Sequence, residues 1–148
     1  MDPVDLYRLS RSLYIRRFYR LARLIKALNV FLFRAVLPPE MEAGSNLKLG
    51  HFGMGVVIHP NTTIGNDVFI YHNVTLATER ALDQPERIFI EDEVTIGTGA
   101  VIIGPRRIGR GSLIGAGAIV TKDVPPGVVV AGNPARVIRA ARPGERKK

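Results

Sequence analysis

The sequence predicts a mainly β protein: a parallel β-helix of stacked six-residue units, preceded by an N-terminal α-helix and closed by a short C-terminal cap. Three observations predict it. Aliphatic residues recur every sixth position at Ile58, Ile64, Ile70 and Leu76, and again at Ile90, Ile96, Ile102, Ile108, Ile114 and Val120. Glycine follows the aliphatic residue at Gly65, Gly97, Gly109 and Gly115. Upstream of Pro38-Pro39 the period is instead that of a helix.

The N-terminal helix is read over Val4 to about Leu37, where Tyr14, Phe18, Leu21, Ile25, Leu28 and Leu32 alternate at spacings of four and three and so share one face. Arg16, Arg20, Arg23 and Arg34 fall on the other face. Residues 1–36 therefore form an amphipathic basic segment. Its apolar stripe packs on the domain or on a neighbouring subunit, or residues 4–34 lie on an anionic membrane surface. Pro38-Pro39 ends the helix, because proline lacks the amide hydrogen and pushes its predecessor out of helical geometry.

Residues 37–139 carry the period of six, which suits neither an α-helix nor a simply alternating strand. A small or aliphatic residue often sits four after the column residue, as at Val68, Val74, Val94, Ala100, Ala118 and Val124. Each unit is thus a short flat strand plus a corner. Three units, about 18 residues, make one triangular coil whose aliphatic residues turn inward and stack. Burying one such Ile or Val is worth roughly 1.5–3 kcal/mol, so the column can serve as the core. A series of short hairpins would need Asn-Gly or Asp-Gly turns at close intervals, which the sequence lacks. Residues 78–87 are polar and loop out of the column, a place where substrate contacts tend to sit on a rigid scaffold. The segment from Lys122 to Ile138 leaves the repeat as a cap, and residues 140–148 are a basic tail.

Composition narrows the chemistry. The 148 residues suit one domain with appendages. With no cysteine and three widely spaced histidines, a disulfide framework, a thiolate site and a zinc cluster are excluded, so no metal is expected and the chemistry falls to oxygen or imidazole. The net charge of +8 is concentrated at the two ends, which should meet anions. Nucleic acid is not the expected partner, because the middle of the chain has neither interleaved aromatic and basic residues nor a recognition helix. Arg and Lys interrupt residues 4–37, leaving no secretory signal and no spanning stretch. The cytoplasm is the expected compartment, with the inner membrane face within reach of the basic helix.

The segment Ile108-Gly-Arg-Gly-Ser-Leu-Ile-Gly-Ala-Gly-Ala-Ile-Val-Thr-Lys-Asp-Val-Pro-Pro-Gly127, with Ala131-Gly-Asn-Pro-Ala-Arg-Val-Ile138, resembles the closing coils of hexapeptide-repeat acetyltransferases. Upstream, Gly50-His-Phe-Gly-Met-Gly-Val-Val-Ile58 and Ile70-Tyr-His-Asn-Val-Thr-Leu76 resemble their serine acetyltransferase branch. The resemblance implies a left-handed coil, a homotrimer, and acetyl-CoA bound as co-substrate between subunits. It makes His51 the general base, and the chemistry agrees. A hydroxyl is a weak nucleophile at neutral pH, and an imidazole with an ordinary pKa near 6.5 can take its proton during attack on a thioester. His72 is placed to polarise the thioester or bind the acceptor, or is a plain corner residue, whereas His59, beside Pro60, is a turn residue. For coenzyme A the resemblance implies backbone contacts at Gly99, Ala100, Gly117 and Ala118, with Lys122, Arg136 and Arg139 for its phosphates.

The sequence departs from the serine-specific pattern. The acidic partner of the histidine falls at Val36, an aspartate before it at Gly50, and a second histidine at Gln84-Pro85. Glu40 or Glu42 is left to orient His51. The large helical N-terminal domain of those enzymes has no counterpart here. A short helical N-terminus before such a prism resembles the sugar and polysaccharide acetyltransferases, including the colanic-acid type. The expected acceptor is accordingly a saccharide or related small molecule. Serine is the alternative, and a non-catalytic trimeric scaffold is a third reading that gives no use to an accessible imidazole at His51.

Overall fold

Asp2 starts the first helix by capping it. Its Oδ1 accepts the amides of Val4 (2.7 Å) and Asp5 (2.9 Å), and the Asp5 carboxylate accepts the Asp2 amide in return (2.9 Å). Helix α1 (Pro3–Ile15) follows in the computed structural model, which describes residues 2–78, 87–142 and 145. The helical stretch is not continuous: α1 and α2 (Tyr19–Phe33) are separate and packed on each other. Arg17 adopts a left-handed conformation (φ 66°), the Phe18 amide donates to the Leu13 carbonyl and the Arg17 amide to that of Tyr14 (both 2.9 Å), which is a Schellman stop. Helix α2 ends before the prolines, at Arg34 (φ 56°).

The predicted apolar stripe does not pack on the chain's own prism. Phe18, Leu21, Leu28 and Leu32 are exposed, and α2 instead buries Ala22 and Asn29. Small Ala22 lets α1 approach closely enough for the Ser10 hydroxyl to donate to the Ala22 carbonyl (2.8 Å), while Asn29 Nδ2 donates to the Pro3 carbonyl (2.9 Å). Helix α1 covers the open end of the prism through Val4 and Tyr7, whose hydroxyl donates to the Met41 carbonyl (2.9 Å).

The prism is built coil by coil. The first coil holds β1 (Glu42–Ala43), β2 (Lys48–Leu49) and β3 (Val57–Ile58), and the second holds β4 (Thr62–Ile64), β5 (Phe69–Ile70) and β6 (Thr75–Ala77). The third holds β7 (Ile88–Ile90), β8 (Thr95–Ile96) and β9 (Val101–Ile103), and the fourth β10 (Arg107–Ile108), β11 (Leu113–Ile114) and β12 (Ile119–Val120). Each coil gives one strand to each of three parallel sheets, β1-β4-β7-β10, β2-β5-β8-β11 and β3-β6-β9-β12. This is the left-handed parallel β-helix, with its N-terminal helices and C-terminal cap. The cap is β13 (Val128–Ala131), parallel to β11, and β14 (Arg136–Ala140), which turns back antiparallel and exposed.

All ten column positions predicted from the period of six are at most 2% exposed. Register shows where the coils depart from a uniform repeat. Thr95 pairs with Leu113, 18 residues on, but Phe69 pairs with Thr95, 26 residues on; the excess is the excursion at 78–87. Of that excursion, residues 79–86 lie outside the described part. Lys48 pairs with Phe69, 21 on, whereas Val57 pairs with Thr75, 18 on. The first coil thus carries three extra residues between β2 and β3, in the turn that contains His51.

Candidate active site

The three extra residues force a tight corner at Gly50–Gly53, and two consecutive non-glycine residues take the left-handed conformation there: His51 (φ 51°, ψ 44°) and Phe52 (φ 55°, ψ 24°). Such backbone is costly for side chains with a Cβ and needs support. Phe52 stacks on Phe33 at the end of α2, ring centres 6.2 Å apart. The Gly55 amide donates to the Arg34 carbonyl (3.1 Å), and the Asn73 amide donates to the Met54 carbonyl (2.8 Å). Glycine suits position 53, where φ is +66° and an added Cβ would lie 2.7 Å from Leu49 Cδ1 and displace it.

His51 is held out from the column as a result. It and Phe52 border two cavities. One, about 270 Å³, is lined by Asp2, Pro3, Val4, Leu49, His51 and Phe52; the other, about 550 Å³, by Leu32, Phe33, Arg34, His51, Phe52 and Met54. Because Leu49 pairs with Ile70, His72 lies one coil on at the same corner. The two imidazoles meet edge to face, centres 4.8 Å apart at 89°. His72 Nδ1 is buried without a hydrogen-bond partner among the described residues.

The same corner continues through Gly99 and Gly117, which have φ of 69° and 68° and nothing within 4 Å of where a Cβ would stand. The surface over their Cα atoms is therefore open to a ligand. Ala100 and Ala118 are fully buried, and their backbone groups serve the coil: the Thr75 amide donates to the Ala100 carbonyl (3.0 Å) and the Val101 amide to that of Ala118 (2.9 Å).

Comparison with known proteins decides the family. Residues 87–122 match the family described as bacterial transferase hexapeptide (six repeats). The serine acetyltransferase of Helicobacter pylori (strain ATCC 700392 / 26695) is 38% identical over 136 residues, covering 92% of this chain and 79% of that protein. This chain belongs to the serine acetyltransferase family of hexapeptide-repeat transferases. The Bacillus subtilis (strain 168) serine acetyltransferase is 39% identical over 132 residues, 89% of this chain and 60% of that one. The crystal structure of a serine acetyltransferase in complex with coenzyme A from Brucella abortus strain S19 superposes with a TM-score of 0.88 at 33% identity, covering 94% of this chain and 55% of that one. The chain thus spans a little over half the length of the latter two.

Within the serine acetyltransferase frame the remaining candidates are scattered. Lys122 is exposed at the corner that follows β12, one face beyond the histidines. Arg136 is exposed at the start of β14, and Arg139 is ion-paired with Glu145. Neither Glu40 nor Glu42 orients His51. Glu42 Oε1 lies 3.3 Å from Arg87 and 3.9 Å from Arg11, and among the described residues no carboxylate bonds to either imidazole. His59 is a turn residue: its Nδ1 accepts the Asn61 amide (3.0 Å), and burial holds its pKa below the ordinary 6.5. No group of three or more His, Cys, Asp or Glu among the described residues could hold a metal ion. Gln84-Pro85 lies outside the described residues.

Asp2 joins the site without any sign of it in the sequence. Its caps use Oδ1, leaving Oδ2 without a hydrogen bond among the described residues, and it lines the smaller cavity with His51. Asp-Pro before a helical period is a readable cap signal, but closeness to His51, 49 positions away in the chain, is a tertiary fact.

Proposed function

We propose that this chain is an acetyl-CoA-dependent O-acetyltransferase with His51 as its general base and serine, or a similar hydroxyl-bearing amino acid, as acceptor. The observation that carries the reading is the position of His51: an imidazole lifted on a strained turn between two cavities, on the same corner as the open backbone at Gly99 and Gly117. In the reaction His51 takes the hydroxyl proton as the oxygen bonds to the thioester carbonyl carbon. The carbon–sulfur bond breaks, and the proton returns to the departing sulfur. The acetyl ester and free coenzyme A are the products. The Gly99–Gly117 corner accommodates a pantetheine arm, and Arg136 is available for phosphate.

The relatives' activity favours serine over the saccharide that Val36 and Gly50 suggest, and the carboxylate of Asp2 in the smaller cavity suits the ammonium of an amino acid. His72 lies behind His51 as a positioning residue. Assembly as a homotrimer, with the thioester held between neighbouring corners, belongs to the same proposal. The test is thiol release from acetyl-CoA with separate panels of amino acids and saccharides, the product identified by mass. Acetylation of L-serine supports the reading, acetylation confined to saccharides overturns the acceptor, and no turnover with either, together with no binding of coenzyme A, overturns the activity.

A further inference from the structure

We infer that the exposed face of α2 docks on an anionic membrane surface, an inference that does not rest on acetyl transfer. On the helical projection Leu21, Leu24, Leu28, Phe31 and Leu32 fall within a sector of about 100°. They are 45, 63, 40, 83 and 51% exposed. Single apolar residues at a surface are ordinary, but five large ones on one face are not. No described part of the chain covers them, since α2 turns Ala22 and Asn29 inward.

Whatever covers this face must match its charge. Between Leu6 and Pro39 there is no Asp or Glu, against eight Lys or Arg. Arg20 is exposed and borders the apolar sector on its Phe31 side, Arg23 is exposed farther round on that side, and Arg16 and Arg17 are exposed in the turn before α2. Pairing this face with a second copy of itself would set those cations against their own equivalents, with no carboxylate in the segment to offset them. An anionic lipid surface supplies the opposite charge and accepts the leucines and phenylalanine at the acyl boundary, while arginine side chains reach back to the headgroups. No described helix is long and apolar enough to cross a membrane, so α2 lies along the surface. Leu32 also lines the larger His51 cavity, so docking sets that cavity at the edge of the lipid.

The test is co-sedimentation of the full chain with vesicles of phosphatidylcholine alone or of phosphatidylcholine with phosphatidylglycerol. Partitioning onto the anionic vesicles is expected to exceed that onto the neutral ones by at least ~10-fold and to fall as salt is raised. Leu28→Glu with Phe31→Glu should abolish it. Arg20→Gln with Arg23→Gln should weaken it and flatten the salt dependence; this pair serves if the first variant fails to fold. Equal partitioning onto both vesicles, no partitioning, or partitioning that neither variant reduces would overturn the inference. So would light scattering that shows the Leu28→Glu, Phe31→Glu chain losing an assembly the native chain forms, because the face would then be an interface between copies.

Discussion

His51 stands edge-on to His72, ring centres 4.8 Å apart, because one coil of the prism separates them and the three extra residues of the first coil bring the two imidazoles into line. The buried Nδ1 of His72 has no hydrogen-bond partner among the described residues, so no bond at that atom fixes the ring. Edge-to-face aromatic contact is worth about 0.5–1.5 kcal/mol. His72→Phe is expected to keep the melting temperature while lowering kcat about tenfold, and His72→Ala to lose both. A His72→Phe enzyme with native kcat would remove the nitrogen atoms of His72 from the account.

The open corner yields a prediction of a different kind. Gly117→Ala meets no atom within 4 Å, so its folding cost is only the left-handed backbone at φ +68°, about 1–2 kcal/mol. Its methyl nevertheless stands where the pantetheine arm is proposed to lie. Steady-state kinetics should show KM for acetyl-CoA raised several-fold at nearly unchanged kcat. An unchanged KM in a folded variant would put the arm elsewhere.

Stability rests on the column. Ile96 is fully buried in the third coil, and Ile96→Ala should cost about 2–5 kcal/mol in urea unfolding. The more conservative Ile102→Val should cost about 0.5–1.5 kcal/mol. Equal, negligible losses at both positions would mean that the prism is not held by this column.

The column was legible because its period is local, and it places the strands without knowledge of the contacts between coils. The break between α1 and α2 was not: Arg17 takes the left-handed position that glycine usually marks, so no residue type announces the stop. The paired left-handed residues His51 and Phe52 were equally hidden, since only the register of β2 against β5 reveals the extra length. The motifs around His51 and His72 mark both as candidates through the resemblance, and the register of β2 against β5 brings them together. Asp2 could not be marked in this way, because α1 folds back over the first coil, and the fate of the apolar stripe could not be read from its spacing.

Acid should weaken the fold at His59. Burial lowers its folded-state pKa, so the unfolded chain takes the proton more readily. The neutral imidazole's contribution is therefore present above the ordinary value of 6.5 and is lost as pH falls through 6.5 towards the folded-state value. Protonation of Nδ1 also ends its acceptance of the Asn61 amide. Melting temperature should fall by a few °C at most between about pH 7.5 and about pH 5, because the side chain is partly solvated. His59→Asn should flatten that dependence, and an identical slope in the variant would assign it to other groups.

The role of His51 is tested by comparing native protein with His51→Ala for acetyl-CoA thiol release with L-serine, alongside calorimetric binding of coenzyme A. A general base at His51 requires a loss of at least about a hundredfold in kcat with coenzyme A binding retained. A folded His51→Ala protein that binds coenzyme A and turns over at the native rate would contradict it.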